Sequence, residues 1–151
     1  MKDLSRRDVL ALGTTAAAAA LFVNPLAAHA ETDLAKDLIK KFTGGKNAAE
    51  GKIKLEMPEI AENGNTVRLT FTVESPMTKK DYVKRVIIIA GGNPRPEVAT
   101  FNFSHLSGVA KASSRMRLAK TQNVIAVAEL SDGSFHMTKT EVKVTIGGCG
   151  G

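Results

Sequence analysis

Residues 66–74, with the sequence TVRLTFTVE, decide the fold class. Apolar and polar side chains alternate along this stretch, and a period of two is typical of a half-buried β-strand. Val67, Leu69, Phe71 and Val73 therefore face one side, and the polar residues between them face the other. A turn sequence precedes the strand at residues 63–65, and a Ser-Pro pair follows it. The stretch predicts a strand with one face in a core and the other face in solvent.

Similar segments recur along the chain at the spacing of β-hairpins. We predict further strands at residues 53–57, 82–90, 98–103, 115–119, 124–130 and 135–146. Residues 86–89 are continuously apolar, which predicts a strand that is buried on both faces. Residues 46–51 are predicted as a linker, and residues 107–114 as a small, polar loop. About seven short strands without intervening helices predict an all-β fold, an antiparallel β-sandwich of immunoglobulin-like shape.

A short amphipathic helix is predicted at residues 32–42, ahead of the first strand. Leu34, Leu38 and Phe42 are spaced four residues apart, and Ile39 lies beside them on the same face. The pair Gly44-Gly45 follows and can supply the left-handed conformation that ends a helix. The sandwich with its N-terminal helix is therefore predicted to span residues 31–146.

The composition excludes several classes of protein. The chain has 151 residues, a formal net charge of +6 and one cysteine, Cys149, so it cannot form an intramolecular disulfide or a four-cysteine zinc site. It contains no run of 18 apolar residues, so no membrane-spanning segment is predicted. Aromatic residues make up 5% of the chain, too few for a platform that stacks nucleic-acid bases. We therefore expect neither membrane insertion nor nucleic-acid binding.

Residues 1–30 are predicted to be an export signal. The pair Arg6-Arg7 lies in the sequence SRRDVL, which resembles the twin-arginine (Tat) motif, and a weakly hydrophobic, alanine-rich run follows it. The sequence Ala28-His29-Ala30 fits the small-x-small rule, which places signal cleavage after Ala30. The twin-arginine route carries folded cargo, so a partner without a signal could be exported together with this chain. An ordinary secretory signal with a chance arginine pair is the alternative.

The last five residues, Gly147-Gly148-Cys149-Gly150-Gly151, follow the last predicted strand directly. Glycine has the widest backbone freedom and no side chain, so this pentapeptide is predicted to be a thin, flexible arm at residues 147–151. A catalytic cysteine is normally held beside a positioned base, whereas a thiol on a movable arm suits a covalent carrier. We therefore predict no catalytic residue in this chain. Cys149 is predicted to bind a group covalently and to present it to other proteins.

The C-terminal sequence VKVTIGGCGG, at residues 142–151, resembles the C-terminus of the SoxY family. SoxY proteins are the sulfur-carrying subunits of the periplasmic Sox system, which oxidises thiosulfate. The signal, the helix and the β-rich domain extend the resemblance over nearly the whole chain. The resemblance implies a periplasmic carrier that is not an enzyme and has no cofactor or metal, with Cys149 as the site of covalent sulfur attachment.

The same resemblance implies the partners. A SoxZ-like subunit would form a heterodimer with this chain. A c-type cytochrome would join thiosulfate to Cys149 as an S-thiosulfonate, and a dimanganese hydrolase would release sulfate. In some organisms a molybdenum dehydrogenase would oxidise the remaining persulfide sulfur.

Two other functions remain open at this point. An exported protein with one cysteine can form an intermolecular disulfide, so the chain could be an interaction protein whose tail links two copies through Cys149. A copper electron carrier is the second alternative, with His105, His136, Met137 and Cys149 as the candidate ligands. Such a site needs a cysteine fixed within the sandwich, with histidine and methionine ligands after it, and only glycine follows Cys149.

Overall fold

A computed structural model of the chain describes residues 31–149. The predicted signal, with Arg6, Arg7 and the cleavage position after Ala30, lies outside the described residues, as do Gly150 and Gly151. The described part contains one α-helix, nine β-strands and a short 3-10 helix. Their bounds are α1 Asp33–Thr43, β1 Ala48–Glu50, β2 Ile53–Glu56, β3 Ile60–Asn63, β4 Val67–Val73, β5 Val83–Ala90, β6 Glu97–Asn102, the 3-10 helix His105–Ser107, β7 Ala110–Met116, β8 Gln122–Leu130 and β9 Phe135–Ile146.

Two sheets form the sandwich that the sequence predicts. The larger sheet has the strand order β1-β9-β8-β5-β6, and β3 also pairs with β9. The smaller sheet has the order β2-β4-β7, in which both pairings are antiparallel. The four inward residues of β4 are all buried, and Phe71 packs its ring edge-on against Phe101 at 5.1 Å and Phe103 at 6.2 Å between centroids. The predicted all-β sandwich is confirmed, and its core lies between the two sheets.

Strand β5 is buried on both faces, as its continuous apolar run predicts. Val86 and Ile88 point into the core between the sheets, whereas Ile87 and Ile89 point to the opposite side of the larger sheet. Helix α1 covers that opposite side. The protein is therefore a sandwich with one helix packed on the outer face of its larger sheet.

Helix α1 begins and ends where the sequence predicts, and its predicted apolar face packs on the larger sheet except at Leu34. The Thr32 hydroxyl caps its start by accepting a hydrogen bond from the Ala35 amide at 3.3 Å, and Gly44 ends it in the left-handed conformation at φ 63°. Leu34, predicted to be buried, is 58% exposed, and Ala35 is fully buried in its place. Ala35 packs in the cluster between the helix and the larger sheet, and Leu34, one residue earlier, is turned by about 100° around the helix axis from it.

Two short strands and one boundary differ from the prediction. The predicted linker contains β1, and the segment before the residue 63–65 turn contains β3; both run parallel to β9. They have three and four residues, too few to show a period of two. Strand β7 begins at Ala110, inside the predicted loop, because its inward residues there are the small Ala110 and Ala112. Residues 117–119, predicted as strand, lie beyond its end.

The described residues contain no helix that is long and apolar enough to cross a membrane.

Candidate functional site at the end of strand β9

Strand β9 carries the chain to the end of the sandwich at which Cys149 lies. Its final residues pair with β3, and Asn63 lies opposite Ile146 in the register. The Gly64 amide donates a hydrogen bond to the Ile146 carbonyl at 2.7 Å. The turn at residues 63–65, which the sequence predicts only as a connection between strands, therefore lies beside the start of the GGCGG segment.

A triangle of backbone hydrogen bonds joins this segment to two other parts of the chain. The Leu118 amide donates to the Gly64 carbonyl at 2.8 Å, and the Gly148 amide donates to the Leu118 carbonyl at 2.8 Å. Together with the bond from Gly64 to Ile146, these contacts connect the residue 63–65 turn, the segment after β7 and the end of β9. Gly148 is buried, whereas Gly147 is exposed.

Gly147 and Gly148 lie so close to neighbouring backbone that a side chain would collide with it. A β-carbon on Gly147 would overlap the Ala119 carbonyl oxygen, and one on Gly148 would lie 2.6 Å from the Gly64 carbonyl oxygen. From the sequence, these glycines are predicted to form an arm because glycine is flexible. The structure gives a second reason for glycine at both positions, which is close packing against the domain. The mobility of residues 147–151 stays a prediction.

Cys149 is held through its backbone, and its thiol is left exposed. The Cys149 amide donates to the Asn65 side-chain oxygen at 3.2 Å. The Asn63 side-chain oxygen in turn accepts from the Asn65 backbone amide at 2.9 Å and from the Asn65 side-chain amide at 3.1 Å. Cys149 is a free cysteine on the surface. Because a thiolate acts as a nucleophile when reagents can reach it, this arrangement suits covalent attachment of a group to sulfur.

Two buried polar side chains, Asn93 and Gln122, fix residues 117–119, the segment that Gly147 and Gly148 contact. The Asn93 oxygen accepts from the Ala119 amide at 3.0 Å and from the Gln122 side-chain amide at 2.7 Å, and the Asn93 amide donates to the Arg117 carbonyl at 2.9 Å. Asn93 is 3% exposed and Gln122 is 1% exposed. Neither residue is singled out by its sequence, because a polar residue in a loop or at a strand end is ordinarily exposed.

The candidate copper ligands are not brought together with Cys149. His136 is the second residue of β9, and Cys149 lies three residues beyond the last residue of that strand. Roughly 30 Å of strand therefore separates the two residues. His105 lies in the 3-10 helix, with its ring 6.0 Å from that of Tyr82. Within residues 31–149 no three His, Cys, Asp or Glu side chains are clustered so that they could hold a metal ion.

His136 has an unusual environment of its own. It is half-buried, and its Nδ1 atom is buried without a hydrogen-bond partner among the described residues. Burial lowers the pKa of the His136 imidazole, and the positive charge of Lys52 lowers it further, while Asp132 opposes the shift. Alternation along β9 from the neighbouring Phe135 predicts an outward-facing surface residue, but His136 lies opposite Ala128, which points into the core between the sheets.

Comparisons with solved structures identify proteins of similar fold, one of which is also similar in sequence. The sulfur carrier protein SoxY from Chlorobium limicola f. thiosulfatophilum is 33% identical, with a TM-score of 0.63, and the match covers 74% of this chain and 96% of that chain. Superoxide reductase from Ignicoccus hospitalis is 15% identical, with a TM-score of 0.56 and coverage of 62% of this chain and 80% of that chain. Superoxide reductase from Nanoarchaeum equitans is also 15% identical, with a TM-score of 0.53 and coverage of 63% and 99%. The two reductases share the fold alone.

No curated protein matches the sequence significantly. The family model for the sulfur oxidation protein SoxY matches residues 39–149, a range that begins within helix α1 and ends at Cys149. Together with the sequence identity to the Chlorobium protein, this match over most of the chain shows that the protein belongs to the SoxY family of sulfur oxidation proteins.

Proposed function

We propose that this protein is a covalent sulfur carrier in thiosulfate oxidation and that Cys149 is the attachment site. The observation that carries the proposal is the placement of Cys149 at the end of the sandwich. Its thiol is exposed, and the residue is held by its backbone amide. The similarity to a sulfur carrier protein of the same family supports it.

Each step of the proposed cycle balances in atoms and charge. In loading, the Cys149 thiol and thiosulfate form a sulfur–sulfur bond and release one proton and two electrons, which a c-type cytochrome accepts. In hydrolysis, water attacks the terminal sulfonate sulfur, so that sulfate leaves with two protons and a persulfide anion remains on Cys149. A dimanganese hydrolase would catalyse this second step, and a molybdenum dehydrogenase would oxidise the persulfide where that enzyme is present. The chain itself is acted on and is not the catalyst.

Presentation of the cargo requires residues 148–149 to leave the domain. Two hydrogen bonds hold them, from the Gly148 amide to Leu118 and from the Cys149 amide to Asn65. A hydrogen bond contributes roughly 0.5–1.5 kcal/mol net, so opening both costs about 1–3 kcal/mol. The released form would then make up roughly 0.5–15% of molecules, which is enough for partner enzymes to select it.

A SoxZ-like subunit is the proposed stable partner. Strands β6 and β7 are edge strands of their sheets, and the loop between them exposes Leu106 at 83% and Val109 at 63%. Unpaired strand edges and exposed apolar side chains need protection, and a subunit packed there would provide it. We place the heterodimer in the periplasm, with export by the twin-arginine route through Arg6 and Arg7.

Intact-mass measurement of the protein purified from its native periplasm tests the carrier function. We expect thiosulfonate or extra sulfur on Cys149, and we expect Cys149→Ser to abolish thiosulfate-dependent turnover with little change in Tm, because the side chain is exposed. A reducible doubling of mass without any sulfur adduct would favour the disulfide-linked interaction protein. A coloured, metal-bearing monomer would favour an electron carrier.

A further inference from the structure

The outer face of the smaller sheet carries an excess of positive charge. In β4 and β7 the residues that alternate with the buried ones include Arg68, Lys111 and Arg115, all exposed. The neighbouring strand β2 contributes Lys54 and Glu56, which pair with each other at 2.6 Å. Glu56 is therefore engaged by Lys54 and does not form an ion pair with Arg68 or Arg115.

Arg68 and Arg115 lie directly opposite each other in the antiparallel register of β4 and β7. Side chains at such positions have β-carbons roughly 5 Å apart, and like charges placed there destabilise a sheet. Among residues 31–149, neither arginine forms an ion pair with a carboxylate. A position that breaks a rule of local stability without compensation within the fold indicates a functional role, and a bound anion would supply the missing charge.

Hydroxyl groups lie next to the two arginines. Thr70 and Ser113 form the next pair along the same strands, and their side-chain oxygens are 2.7 Å apart. Together with Ser114 these residues line a shallow depression of about 340 Å³. Guanidinium groups bind tetrahedral oxyanions through paired N–H donors, and hydroxyls add further donors. The donor set fits a sulfate-type anion, and the depression is wide enough to admit one.

The depression lies close to the site of Cys149. Arg115 precedes Leu118 by three residues, and Arg68 follows Asn65 by three residues. Leu118 and Asn65 accept the hydrogen bonds that hold Gly148 and Cys149. Three residues of extended chain span about 10 Å. The long arginine side chains and a group attached to the Cys149 sulfur can meet across that distance.

We propose that Arg68 and Arg115 form a binding site for a sulfate-type oxyanion. The hydroxyl pair of Thr70 and Ser113 supplies one additional donor, because the other proton of the pair is used in the hydrogen bond between them. The anion site deepens the proposed function and rests on that function in one respect: the anion that occupies the site during the cycle is the terminal sulfonate of the cargo on Cys149. The site holds the loaded arm against the domain through charge, whereas in the unloaded arm Gly148 and Cys149 are held through their backbone amides.

The first experiment measures anion binding directly. The 15N-labelled chain is titrated with sodium thiosulfate, sodium sulfate or sodium phosphate, each against sodium chloride of equal ionic strength, and the side-chain Nε–H signals of the arginines are followed. We expect saturable shifts at Arg68 and Arg115, and about tenfold weaker binding in Arg68→Gln and in Arg115→Gln. Arg95→Gln, which removes an exposed arginine from the loop before β6, should change the affinity less than twofold.

Circular dichroism and Tm show that each variant is folded, and Arg115→Gln is expected to have a higher Tm than the parent without anions, because it removes the repulsion. Equal shifts with chloride, or the same loss in Arg95→Gln, would overturn the site. A stronger response to phosphate than to either sulfur anion would overturn the assignment to sulfur oxyanions.

The second experiment tests whether the cargo occupies the site. Tetrathionate converts Cys149 chemically to the S-thiosulfonate: the thiolate attacks the central sulfur–sulfur bond, and thiosulfate leaves. The control has Cys149 capped with neutral iodoacetamide. Added thiosulfate should bind at least tenfold more weakly to the thiosulfonate form than to the capped form, because the tethered sulfonate competes for Arg68 and Arg115.

Equal affinity in the two forms would show that the cargo does not reach the site. Because the adduct is made chemically, this result is independent of loading by partner enzymes. Failure of the proposed function would instead appear as native protein without any sulfur on Cys149, while binding of free anions remained measurable.

Discussion

Gly64 and Gly148 lie in backbone contact at the point where the C-terminal segment meets the domain. A β-carbon on Gly148 would lie 2.6 Å from the Gly64 carbonyl oxygen, and one on Gly64 would lie 2.7 Å from the Gly148 amide nitrogen. Neither position tolerates a side chain unless the backbone moves. The contact places Cys149 beside Asn65, so glycine at both positions is a condition for the docked arrangement of the thiol.

Gly148→Ala should release the last residues from the domain. The added methyl group cannot fit beside Gly64, so the hydrogen bond from the residue 148 amide to the Leu118 carbonyl is lost. We expect hydrogen exchange of the residue 148 and Cys149 amides to accelerate roughly 5- to 150-fold, which corresponds to loss of the 1–3 kcal/mol that holds them. Amide exchange followed by NMR measures this directly.

Gly151→Ala is the control for that variant, because it adds the same methyl group beyond the thiol. Its exchange rates should match those of the parent. If the residue 148 amide stays protected in Gly148→Ala, the close contact with Gly64 does not determine docking. Turnover of partner enzymes, measured with the same variant, then shows whether a released arm presents its cargo to them faster or more slowly.

Asn93→Ala should weaken the surface on which the arm docks. The change removes three hydrogen bonds and leaves the Ala119 amide and the Arg117 carbonyl without their buried partner. Leaving buried polar groups unpaired costs about 1–3 kcal/mol each, so with two such groups we expect the free energy of unfolding to fall by about 2–6 kcal/mol. Urea unfolding measures the loss, and Asn102→Ala, at an exposed position of β6, should change it by less than about 0.5 kcal/mol.

The strands could be predicted from the sequence wherever their burial alternates over several residues. Residues 66–74 and the apolar run at residues 86–89 lie where their patterns place them, since one face or both faces of each strand are buried. Strands β1 and β3 could not be predicted, because three or four residues carry no readable period and their pairing depends on the distant β9.

The candidate site was only partly predictable for a related reason. Cys149 stands out in the sequence, but its neighbours come from three separate segments that tertiary pairing brings together. Asn65 and Asn93 carry no local signal of their role, since asparagine is common in any loop. The glycines were assigned to flexibility, whereas their packing against Gly64 and Ala119 depends on distances that a sequence does not contain.

Phe71→Ala should destabilise the sandwich severely. Phe71 is fully buried and contacts the rings of Phe101 and Phe103 from the opposite sheet, so truncation opens a cavity in the main core. Such changes cost about 3–5 kcal/mol. Urea unfolding of the variant beside Thr72→Ala, on the outward face of the same strand, checks the prediction, and a loss below 1 kcal/mol would contradict it.

Replacement of Arg6-Arg7 by Lys-Lys should stop export while preserving the charge of the signal. If the chain leaves the cytoplasm folded and already joined to a SoxZ-like subunit without its own signal, both proteins should accumulate in the cytoplasm. Fractionation followed by immunoblotting of both chains measures this. The SoxZ-like subunit reaching the periplasm at its normal level would contradict joint export.

His136→Gln should make the stability of the protein less sensitive to mild acid. Burial and Lys52 hold the pKa of His136 below its ordinary value of about 6.5, so the folded protein resists protonation of the ring. Above pH 7.5 the ring is neutral in both states and contributes no pH dependence. As the pH falls below about 6.5, the unfolded chain binds the proton first, and the free energy of unfolding therefore decreases until the pH reaches the folded-state pKa.

Urea unfolding at pH 7.5 and pH 5.5 should show a larger loss for the parent than for His136→Gln, whereas His105→Gln, which removes the other imidazole of the domain, serves as the control. An equal loss in the parent and in His136→Gln would show that the buried Nδ1 atom of His136 has no part in the acid response.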